Sequence, residues 1–143
     1  MRHPSLRPLL ALAFALLALP AMAVDMVVIV SARSPVASLR QDQVTDIFLG
    51  RAGHFPDGGE AVAIDQGLGS PLRNAFYMRV AATSPTALKV YWSKMIFTGR
   101  GKPPRELADS AAVRQQVAGN PALIGYIDRA SLDASVRPVL VIR

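Results

Sequence analysis

The chain has 143 residues, a formal net charge of +6, two histidines and no cysteine. Without cysteine it cannot be a disulfide scaffold, a thiol enzyme or a lipoprotein anchored through Cys, so its core must hold it together unaided. Its basic residues form no Lys/Arg block and no interleaving with aromatics, which argues against nucleic acid as a partner.

The first segment reads as a leader. Arg2, His3 and Arg7 make a basic start, residues 9–19 an almost unbroken apolar run, and Ala21, Met22 and Ala23 set small residues where signal peptidase cuts. The run is shorter than the roughly 20 apolar residues a membrane-spanning helix needs. The expectation is a cleaved secretory signal over 1–23 and a single domain over 24–143, which is 23 residues fewer than 143, or 120. Loss of Arg2 and Arg7 lowers the net charge from +6 to +4, a mild excess that favours small anions weakly.

Residues 26–31 (MVVIVS) form a β-branched run and predict a buried strand. Ser38 and Gln41 have capping-box spacing for a helix whose apolar face is Val44, Ile47 and Phe48, with Gly50 in the left-handed position after it. Residues 53–59 are a glycine- and proline-punctuated loop, and 61–65 (AVAID) a second strand. Ser70 and Pro71 then open a helix carrying Leu72, Phe76 and Val80 on one face. Ser84 and Pro85 repeat that start. The next helix places Leu88, Tyr91, Trp92, Met95 and Ile96 at core spacing and stops at Gly99. Residues 100–105 read as a basic, proline-rich loop, and Asp109 or Ser110 as the cap of a short helix reaching Val117. Residues 122–127 and 137–142 are two more strands, the second kept at an edge by Pro138. This alternation predicts one α/β domain with helices against a small, mixed sheet.

One turn carries chemistry. Gly67 to Arg73 follows a strand and enters a helix, which leaves first-turn N–H groups unpaired at the positive end of the helix dipole. An oxyanion fits such a site, with donors from the Ser70 hydroxyl and the Leu72 and Arg73 amides, charge from Arg73, and close approach at Gly69. An ordinary capped helix fits the same residues. Ser31 and Ser34 follow the first strand, where α/β sheets gather ligands, and would close the other side. His54 reads as a solvated loop residue, and with no cysteine and scattered acids there is no metal ligand set. No nucleophile-elbow pattern supports Ser/His/Asp catalysis, and no cofactor motif is present. Arg100, Lys102 and Arg105 read as solvated surface that would border an anion site or face a partner.

Four segments, in order, resemble the periplasmic phosphate-binding component of ABC transporters. Residues 44–58 (VTDIFLGRAGHFPDG) resemble the family's D-I-F-x-G-K segment, and 67–76 (GLGSPLRNAF) sit where it has G-S-G-T-R-x-x-F. Residues 91–101 (YWSKMIFTGRG) resemble a signature of short members, and 120–128 (NPALIGYID) the N-P-G-A-I-G-Y-V segment. Pro71 and Leu72 stand where the family has Gly and Thr, Gln66 stands where it has a phosphate-binding arginine, and Arg73 matches the arginine after the motif. The resemblance implies one lobe of a periplasmic type 2 solute-binding-protein-like fold, where a full binding protein has two lobes. It implies a periplasmic protein that binds phosphate or a related oxyanion reversibly and catalyses nothing. An inner-membrane transporter or sensor would be its partner, and a homodimer would supply the missing wall. The rival reading is a periplasmic interaction or sensor module that keeps the lobe and has lost the ligand.

Overall fold

The computed structural model describes residues 25–143, so the expected signal over 1–23 lies outside the described residues. The elements are β1 Met26–Ser31, α1 Gln41–Phe48, β2 Val62–Gln66, α2 Pro71–Ala81, α3 Pro85–Phe97, β3 Arg105–Leu107, α4 Ser110–Ala118, β4 Leu123–Asp128, a 3-10 turn Arg129–Ser131 and β5 Val136–Ile142. Five strands form one mixed sheet in the order β3-β2-β4-β1-β5. β2 runs parallel to β3 and β4, while β1 is antiparallel to β4 and β5.

Every residue of β1 is buried because both faces of the sheet are covered. Met26, Val28 and Val30 pack with Val44, Phe48, Phe76, Leu88 and Trp92 from α1 to α3 on one side. Val27 and Ile29 point the other way and meet Val113 and Val117 of α4. Gly125 lets α4 approach: a Cβ there would lie 2.5 Å from Val113 Cγ1. The ring of Phe76 stacks on Tyr126 with centroids 3.9 Å apart.

Several expectations shift. α1 starts after Arg40, not Ser38. Leu39 is buried and its N–H donates to Val139 O at 2.9 Å, which holds this stretch extended against β5. Gln43 Oε1 then accepts the Arg40 N–H at 2.9 Å, so the capping role falls two residues later than the spacing suggested. β3 was not expected: it begins at Arg105, the last residue of the stretch read as loop, and pairs with β2 through Ile64, Asp65 and Gln66. On α3 only Leu88 and Trp92 are fully buried; Tyr91 and Met95 are half-buried and Ile96 is exposed. The stripe is therefore narrower than its periodicity indicates. β5 is an edge strand, as Pro138 requires.

Candidate functional site

The C-terminal ends of β2, β3 and β4 lie together at one end of the sheet, because these strands are parallel. β2 ends with Asp65 and Gln66, both buried. Alternation along the strand sends them to opposite faces. Asp65 meets α2. Its Oδ2 accepts the Tyr77 hydroxyl at 2.6 Å and Arg73 Nε at 3.4 Å, and its Oδ1 accepts the Tyr126 hydroxyl and the Gln66 N–H. Arg73 is 6% exposed, and its guanidinium carbon lies 5.3 Å from the Tyr77 ring centroid. Burial, and then the Asp65 charge, push both phenols well above their usual range. Gln66 meets α4: its Nε2 donates to Ser110 Oγ and Tyr126 O, each at 3.1 Å.

Ser70 caps α2 as expected, its Oγ accepting the Arg73 N–H at 3.3 Å, with Pro71 in the first turn. The hydroxyl proton of Ser70 and the Leu72 amide remain for a ligand, since no helix carbonyl reaches a second-residue N–H. Both residues line a cleft of about 700 Å3 between the N-termini of α2 and α4, together with Gln66, Ser110, Asp109 and Asp128. Ser110 Oγ accepts from Gln66 Nε2 and from the Asp128 N–H at 3.0 Å, which frees its own proton to donate.

The six residues expected at the site do not assemble as one. Ser70 and Leu72 share the cleft. The Arg73 side chain does turn inward, but onto Asp65, and its amide is taken by Ser70, so neither supplies the expected anion donor in the cleft. Gly69, at φ +82°, lines a separate groove between α2 and α3 along with Arg73. Ser31 and Ser34 lie at the opposite end of the sheet. β1 is antiparallel to β4, Val30 pairs with Ile124, and Ile124 pairs with Ala63 at the start of β2. The Ser31 hydroxyl donates to Ala118 O at 3.2 Å and the Ser34 hydroxyl accepts the Val36 N–H at 3.2 Å, so both serve the local loop. The rule that ligands gather after strand C-terminal ends holds for parallel strands, and β1 runs antiparallel to both of its neighbours. His54 is exposed, as expected of a loop residue.

Sequence reading missed the Asp65, Tyr77 and Tyr126 cluster and the part of Ser110. A signal was present. Asp65 closes an apolar strand (AVAID), and a buried carboxylate needs partners. Tyr77 stands four residues after Arg73, which places both on one helical face.

No protein-family model and no curated protein matches the chain. Solved structures do. A protein from Clostridium perfringens, assigned as a phosphate ABC transporter substrate-binding protein and holding bound phosphate, matches at 23% identity and a TM-score of 0.60 over 80% of this chain and 43% of its own. An ABC-type phosphate transport receptor from Vibrio cholerae matches at 17% identity and a TM-score of 0.64, over 80% and 44%. PstS from Borrelia burgdorferi matches at 13% identity and a TM-score of 0.53, over 78% and 45%. The chain spans less than half the length of each. The likeness is one of fold: an α/β lobe with a five-stranded mixed sheet flanked by helices, matching a lobe of these substrate-binding proteins.

Proposed function

We propose that the chain is a periplasmic solute-binding-like protein for phosphate or a related oxyanion, linked to ABC-type uptake or sensing. The observation that carries this reading is the cleft at the C-terminal ends of β2 and β4, onto which the start of α2 opens with free donors. The likeness in fold to proteins described as phosphate receptors supports it. Three donors are in position: the Ser70 hydroxyl, the Leu72 amide and the Ser110 hydroxyl. At about 1.5–3 kcal/mol for each bond to a charged group, they contribute about 4.5–9 kcal/mol gross. Association costs at least roughly 4 kcal/mol, so the lobe alone binds weakly, at about 0.2 mM at the tightest. A facing second copy would tighten it.

Asp109 and Asp128 also line the cleft. They repel a fully ionised oxyanion, while a protonated phosphate donates to a carboxylate. Phosphate should therefore be preferred over sulfate. Those same carboxylates, and the engagement of Arg73 by Asp65, favour the second reading, an interaction or sensor module that keeps the lobe without a ligand. Calorimetry with phosphate and sulfate on residues 24–143 tests the choice. Heat with phosphate that Ser70→Ala reduces supports the first reading; absence of heat at millimolar phosphate supports the second.

A further inference from the structure

We propose that the groove between α2 and α3 binds a small organic acid, an apolar body bearing one carboxylate. The groove has a volume of about 490 Å3, within the roughly 300–1,000 Å3 of small-molecule sites. Leu68, Pro85, Ile96 and Pro103 give it apolar walls. Its floor is formed by two residues that are each more than nine-tenths buried, Arg73 and Trp92.

Both floor residues carry donors that the protein does not satisfy. A guanidinium has five N–H donors. Arg73 uses Nε on Asp65, at 3.4 Å, and lies over the Tyr77 ring, but its two terminal amino groups make no hydrogen bond to the described residues. The indole Nε1 of Trp92 is buried with no hydrogen-bond partner, alone in this among the buried side-chain polar atoms of the described residues. The indole N–H is enclosed and out of a ligand's reach, so Trp92 offers its ring as a wall, while the Arg73 amino groups, unpaired but not enclosed, are the donors a ligand acceptor can meet. Planar, two-oxygen acceptors suit the guanidinium fork, since two parallel bonds form at once. Lys89 at the groove adds positive charge, and Glu106 opposes it. That balance admits a single negative charge and resists a dianion, which selects a carboxylate over inorganic phosphate. The groove shares neither Ser70 nor Leu72 with the oxyanion cleft, so this proposal stands apart from the function proposed above.

The chain has one tryptophan, so its indole N–H gives a single, assignable proton–nitrogen NMR signal. Benzoate should shift that signal saturably in the millimolar range. Benzyl alcohol, which keeps the ring and lacks the charge, should bind about tenfold more weakly or worse, as expected for loss of a charge-assisted bond. Arg73→Lys should weaken benzoate by breaking the fork. Because Arg73 is also part of the buried cluster, Leu68→Glu is the companion variant. Leu68 is 76% exposed, so the fold is preserved while the new charge at the mouth repels the acid. Three results would overturn the proposal: no saturable shift with benzoate, equal binding of benzyl alcohol, or Leu68→Glu binding benzoate as well as the parent chain.

Discussion

Removal of the Asp65 carboxylate is the perturbation that bears most heavily on the fold around the site. Asp65 is 1% exposed and accepts from two phenols, one amide and one guanidinium. Truncation of one member of a buried ion pair costs about 3–5 kcal/mol, because the other charge is left unpaired. Domains of this kind are held by roughly 5–15 kcal/mol in all, so Asp65→Ala should bring the chain close to unfolding. Asp65→Asn keeps the shape and one acceptor oxygen, and should cost less. Tyr77→Phe leaves the carboxylate its other donors and should cost about 1.5–3 kcal/mol, the value of one bond to a charged group. Urea unfolding followed by circular dichroism reads the series. A loss of about 4 kcal/mol at a slope of about 2 kcal/mol per molar moves the midpoint by about 2 M with the slope unchanged. A shift below about 0.5 M for Asp65→Ala would refute the reasoning, since the cluster would then contribute little more than an exposed pair.

Gly125→Ala should destabilise by about 1–3 kcal/mol through overpacking, because the new methyl meets Val113 2.5 Å away and Val117 3.3 Å away. Pairing it with Val113→Ala should recover most of the loss in a thermal melt. The Tyr77 and Tyr126 phenols are raised in the folded chain, first by burial and then by Asp65, from an ordinary value of 10.0. The unfolded chain therefore releases these protons first. Their contribution to stability is complete below about pH 10 and falls above it, by up to about 1.4 kcal/mol per pH unit for each tyrosine. Urea midpoints across alkaline pH check this, and the Tyr77→Phe, Tyr126→Phe double variant should flatten the decline. N-terminal sequencing of protein from a periplasmic fraction should begin at or near Val24, and an intact Met1 form confined to the cytoplasm would contradict export.

Much of the fold was legible because its signals are local. Ser70, Ser84 and Asp109 cap the helices that their side chains announce, and Gly50 and Gly99 take the left-handed conformation after helices. The β-branched run of β1 reads as buried and is buried. Strand direction carries no such local mark. Nothing in residues 26–31 says that β1 runs against β4, and that single fact separates Ser31 and Ser34 from Ser70. β3 was missed because three residues after two prolines have no periodicity to read. The cleft was found by its helix start. Its acidic lining was not, since Asp109 at the start of α4 and Asp128 at the end of β4 lie far along the chain from the Ser70 turn.

Calorimetric titration of phosphate into residues 24–143, beside Ser70→Ala, tests the central claim most directly. The account predicts weak, saturable heat in the millimolar range, smaller for sulfate and lost in Ser70→Ala. No heat at millimolar phosphate, or equal binding by Ser70→Ala, would contradict it and leave the interaction module in its place.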